Sequence, residues 1–154
     1  MPNNIDGPDL GAAGSWAKRY FLASRAVMEA VLRPFGLGNT QWYVLYLLVN
    51  HGPVNQRDLT RTLEVERATL SAVISALVRK ELIEQTPLSV DQRQKVLHVT
   101  TAGRNLFESI PDPIALITAV AFEGVDDAEI ATAQRVLSGA TQRLIDYKKD
   151  ASKS

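Results

Sequence analysis

Between Glu66 and Lys80 the apolar residues Leu70, Val73, Ile74 and Leu77 fall at i, i+3, i+4 and i+7, which is one face of an α-helix. The period then drops to two, and 82–86 and 95–100 read as strands. A helix that gives way to a hairpin so abruptly leaves a small core few arrangements. Ahead of it, Asn55 is placed to cap a short helix with Asp58 in its first turn and Leu59 and Leu63 as its apolar stripe. Leu63-Glu64-Val65 makes a tight turn between the two helices. The loop 87–94 is too long for a two-residue turn, so the hairpin should carry a protruding tip.

The flanks are helical. Ser15 is read as the cap of a first helix on which Trp16, Tyr20, Ala23, Val27, Ala30 and Val31 recur, ending before Pro34. Thr40 is read as the cap of a second, carrying Trp42, Leu45, Tyr46 and Val49. Beyond the hairpin, Thr101 should cap a helix bearing Leu106, Phe107, Ile110 and Ile114, kinked or interrupted by Pro111 and Pro113. Asp126, with Glu129 placed for a capping box, starts a last helix whose stripe runs from Ile130 to Tyr147. The expected fold is mainly α with a two-stranded β-hairpin wing. Residues 41–104 would form a winged helix-turn-helix, 15–40 and 105–150 a helical dimerisation region, and 1–14 a flexible tail.

The 154 residues contain no cysteine, which excludes disulfides, thiolate nucleophiles and cysteine zinc sites. His51 and His98 stand apart, so no metal site or cofactor is expected. No Gly-x-Ser-x-Gly elbow or phosphate-cradling glycine loop occurs, and no enzyme is expected. The polar start lacks the pattern of a signal peptide, and no apolar run suits a membrane span, which points to the cytoplasm. Lys plus Arg and Asp plus Glu number 17 each. Asn55 to Arg104, however, carries eight basic against six acidic residues, a mild basic footprint of the kind that phosphate binding needs.

The helix 66–80 presents Arg67, Thr69, Ser71, Ser75 and Arg79 opposite its apolar face. An apolar side that docks and a polar side that reads are what a helix in the DNA major groove requires. Asp91-Gln92-Arg93 lies in the hairpin loop, where an arginine can enter a minor groove and an aspartate two residues away can hold it.

These stretches resemble the multiple-antibiotic-resistance regulators (MarR family). The resemblance runs from Gly36-Leu37-Gly38-Asn39-Thr40-Gln41-Trp42 through Asn55-Gln56-Arg57-Asp58-Leu59, Arg67-Ala68-Thr69-Leu70-Ser71 and Asp91-Gln92-Arg93 to Thr100-Thr101-Ala102-Gly103. It implies a homodimer that binds double-stranded DNA at a pseudo-palindromic operator as a repressor, released by a small aromatic carboxylate or phenolic effector. On that basis the DNA-binding set is Arg57, Arg67, Thr69, Ser71, Ser75, Asp91, Arg93 and Lys95. The effector-binding set is Trp16, Arg19 and Tyr20, which share a helix face, with Tyr46 closing the pocket. Two positions depart from the family pattern: Ala72 stands where many members carry a base-reading arginine, and Glu81 where the turn usually has glycine. The alternative is a winged-helix module that binds a protein rather than DNA.

Overall fold

The computed structural model describes residues 12–90 and 93–153. In chain order the elements are α1 (Ala12–Leu32), a 3-10 turn (Arg33–Phe35), α2 (Asn39–His51), β1 (Val54–Asn55), α3 (Gln56–Thr62), α4 (Arg67–Arg79), β2 (Ile83–Pro87), β3 (Lys95–Val99), α5 (Thr101–Ser109), α6 (Pro113–Ala121) and α7 (Asp127–Ala151). The expected class, mainly α with a hairpin wing, is the one observed. The sheet has one strand more than periodicity indicates. Val54 and Asn55 pair with Leu97 and Val96, giving the antiparallel order β1-β3-β2. The hairpin register sets Ile83 against Val99 and Pro87 against Lys95.

Several helix ends differ from the sequence reading. α1 already runs through Ser15, which therefore caps nothing. α2 is capped by Gly38, whose N–H donates to Oε1 of Gln41 at 3.2 Å, and Thr40 lies inside the helix. Thr100, not Thr101, caps α5: its Oγ1 accepts from the Gly103 N–H at 3.0 Å and donates to the Glu81 carbonyl at 2.7 Å. Asn55 caps α3 as expected, accepting from the Arg57 N–H at 3.0 Å. Asp126 occupies the cap position of α7 without a side-chain cap bond. Pro111 and Pro113 separate α5 from α6 completely, because a proline ring cannot follow a helical turn without displacing the carbonyl four residues back.

The chain divides into two compact units, Met1–Ile114 and Ala115–Ser154. In the first, α4 buries Leu70, Ile74 and Leu77 in a core shared with Leu45 and Leu48 of α2, Leu59 of α3, and Ile83 and Leu97 of the sheet. α1 enters this core only at its end, through Met28 and Leu32, while Trp16, Phe21 and Leu22 are more than half exposed. In the second unit no residue of α7 is buried, and Leu144 and Tyr147 are exposed at 71% and 76%. No helix among the described residues is long and apolar enough to cross a membrane.

Two backbone details hold α4 and the wing in place. Glu81 turns the chain from α4 into β2 with φ of 59°, the left-handed region that favours glycine. Gly103 lies so close to the Leu82 carbonyl that a Cβ there would collide with its oxygen. This approach packs the start of α5 onto the first residues of the wing.

Candidate nucleic-acid interface

A helix that reads DNA must be fixed on one side and bare on the other, and α4 meets both conditions. Arg67, Ala68, Thr69, Ser71, Ala72, Ser75 and Arg79 are exposed on the side away from Leu70, Ile74 and Leu77. Beside α4 a concave groove of about 580 Å3 runs to α3 and the wing. Arg57, Arg61, Arg67, Arg93 and Lys95 line it together with Ser71, and among the described residues no carboxylate does. Five cationic side chains around one concavity suit the polyanionic backbone of a nucleic acid.

Of the residues expected to bind DNA, Arg57, Arg67, Ser71, Arg93 and Lys95 share this groove. Thr69 and Ser75 lie on the exposed face of α4. Asp91 lies outside the described residues, so its expected pairing with Arg93 is not placed. Arg61 lines the groove but was missing from the sequence-based set. Its signal was available, since Arg57 and Arg61 are one turn apart on α3 and share a face.

The groove has a built hinge side. Asn55 uses both ends of its carboxamide: Oδ1 caps α3, and Nδ2 donates to Oε1 of Gln94 at 2.7 Å. Gln94 stands between Arg93 and Lys95, and its carbonyl accepts from the Leu88 N–H at 2.9 Å, which closes the neck of the wing. A second amide pair, Gln85 Nε2 to Gln56 Oε1 at 2.8 Å, ties β2 to the first residue of α3. The spacing between the α3 cations and the wing cations is therefore set by side-chain hydrogen bonds as well as by β1.

The residues expected to hold an effector fall in two places. On α1 the Arg19 guanidinium lies 5.1 Å from the centroid of the Trp16 ring, a cation–π distance, with Tyr20 beside them on the helix, 45% exposed. Tyr46 belongs to an aromatic group on α2 and α5. It stacks on Trp42 at 5.3 Å and approaches Phe107 at 6.3 Å, beside a cleft of about 260 Å3 whose rim carries Glu108 and Asp112. Trp16, Arg19 and Tyr20 do not line that cleft.

This fold recurs in known proteins. Residues 35–94 match the model of the MarR family. Among curated relatives, the uncharacterized HTH-type transcriptional regulator YwoH of Bacillus subtilis is 33% identical over 79 residues, 51% of this chain and 57% of that one. The HTH-type transcriptional repressor NicR of Pseudomonas putida is 28% identical over 74 residues, 48% of this chain and 47% of its own length. The chain thus matches about half the length of these relatives. The MarR-like fold extends further than the sequence match. BpsR of Bordetella bronchiseptica, described for regulation of its DNA binding by 6-hydroxynicotinic acid, superposes with a TM-score of 0.76 at 22% identity, covering 88% of this chain and 96% of that one. A mutant MarR from E. coli complexed with operator DNA gives 0.75 at 20% identity, over 82% and 91% of the two chains. At these identities the likeness is one of fold.

Proposed function

We propose that this chain is a DNA-binding transcriptional regulator, a repressor that works by occupying its operator rather than by turnover, in the cytoplasm. The observation that carries this reading is the groove in which Arg57, Arg61, Arg67, Arg93 and Lys95 converge beside the exposed face of α4, with no carboxylate among its described lining residues. Phosphate contacts from the groove would hold the duplex, and α4 would present side chains to base edges. The E. coli MarR mutant of similar fold is complexed with operator DNA, and NicR is named a repressor; both support the reading.

The regulator acts as a homodimer in this proposal. Residues 41–104 form the DNA-binding part, and 15–40 with 105–150 supply the dimer contacts. The support is the set of large apolar side chains that α1 and α7 each leave in water in the single chain, Trp16, Phe21, Leu144 and Tyr147 among them, since exposed apolar patches mark interfaces. A small aromatic carboxylate or phenol would act as effector at the face of Trp16, Arg19 and Tyr20. Arg19 over the Trp16 ring supports this, and BpsR, of similar fold, is described with such an acid.

Binding to random duplexes followed by selection tests the main reading. The expected outcome is a pseudo-palindromic consensus, with affinity that falls steeply and log-linearly with salt as counterions are released. Affinity for duplex DNA that is absent, or indifferent to salt, would refute it.

A further inference from the structure

Between its two terminal arginines, the exposed face of α4 is made of short side chains. Between Arg67, which turns into the groove, and Arg79 in the last turn, the exposed residues are Ala68, Thr69, Ser71, Ala72 and Ser75. Ala68, Ala72 and Ser75 follow each other at i, i+4 and i+7 along the middle of that face, directly opposite Leu70, Ile74 and Leu77. Base readout by paired hydrogen bonds needs a long side chain: arginine or lysine on guanine, asparagine or glutamine on adenine. None stands on this stretch. Serine and threonine hydroxyls donate and accept alike, so they discriminate weakly between base edges. One mark in the major groove is apolar and is read by methyl groups, namely the C5-methyl of thymine. Between Arg67 and Arg79 such a surface also lets the backbone approach the floor of the groove, because nothing on that stretch projects beyond a threonine.

We propose that α4 recognises its operator through thymine methyl groups, which Ala68, Ala72 and the methyl of Thr69 touch, so that the half-sites are defined by thymines rather than by guanine. The proposal rests on the DNA-binding reading above and names what that site selects. In this division of labour the groove cations provide most of the affinity, and the short face selects bases in the major groove without charge.

The test uses the duplex that the intact protein selects from a random library, made once with thymine and once with deoxyuracil at each thymine of the half-sites. The exchange removes only the methyl group. Affinity for the deoxyuracil duplex should fall about fourfold for each methyl group that the helix had covered, with the salt slope unchanged. Ala72→Ser should narrow the ratio between the two duplexes, and replacing guanine with 7-deazaguanine in the parent duplex should leave its binding as it was. Equal affinity for the two duplexes, a selection without a consensus, or weaker binding to the 7-deazaguanine duplex would each overturn the proposal while leaving salt-dependent DNA binding intact. A protein that binds no duplex at any salt would overturn the function itself.

Discussion

Glu81 holds a φ of 59° at the end of α4, in the turn where the family that the chain resembles usually has glycine. The turn keeps its geometry and the glutamate bears the cost, because its carbonyl is fixed by the Thr100 hydroxyl at 2.7 Å. A left-handed non-glycine residue costs about 1–2 kcal/mol, and glycine loses about 0.5–1 kcal/mol more backbone freedom on folding. Glu81→Gly should therefore stabilise the protein by about 0.5–1 kcal/mol in thermal unfolding. Gly103→Ala should act in the opposite sense, since its Cβ meets the Leu82 carbonyl, and a destabilisation of about 2–3 kcal/mol is expected from the same measurement. Asn55→Ser separates two roles of one residue. Serine caps a helix about as well as asparagine, so the melting temperature should hold. It cannot reach Gln94, so hydrogen exchange at the Leu88 amide should speed up about threefold to tenfold if that bond steadies the wing. Unchanged exchange would show that β1 alone holds the wing. The capping role of Asn55 was legible from its place before a helical stripe. Its bond to Gln94, 39 positions away, has no local pattern that could announce it.

α4 was the most legible element. Four apolar residues at helical spacing fixed both its buried and its exposed face, and the structure places Leu70, Ile74 and Leu77 inside as that spacing requires. β1 was invisible for the complementary reason. Two residues carry no period, and their strand character comes wholly from the β3 partner that they meet. Arg61 escaped the sequence reading because the helix-and-hairpin pattern points to α4 and the wing, although the groove takes cations from three elements. That sharing has a measurable consequence. Arg61→Ala and Arg93→Ala, made separately, should each weaken binding to every duplex alike and lower the salt slope by about one unit for each phosphate left without its cation. Substitutions at Thr69 or Ser71 should change which duplex is preferred and leave the slope in place. An Arg61→Ala protein with the parent's slope would remove α3 from the DNA contacts.

For the whole molecule, the sequence signalled apolar stripes at both ends, but a stripe does not say whether its cover comes from the same chain. The structure leaves Trp16, Phe21, Leu144 and Tyr147 in water in the single chain. Removing the chain from Asp126 onward should therefore yield monomers or aggregates in light scattering, whereas the parent should run as a dimer at micromolar concentration. A two-fold dimer would set its reading helices about one turn of duplex apart, roughly 10 base pairs. Inserting about half a turn between the half-sites should abolish tight binding, and indifference to the insertion would exclude that docking.

The groove also bears on how the protein finds its target. The chain carries 17 basic and 17 acidic residues, so its net charge is zero although five cations line the groove. Seen from afar, such a body has no net pull toward a polyanion. It has an orientation to adopt, and the torque that turns it fades faster with distance than the attraction between simple charges. Within roughly one Debye length, about 8 Å at physiological salt, the groove begins to feel the phosphates directly. Approach is then close to an unsteered random walk, and capture is a matter of arriving the right way round. Raising the salt should shorten the time spent on the duplex far more than it slows arrival.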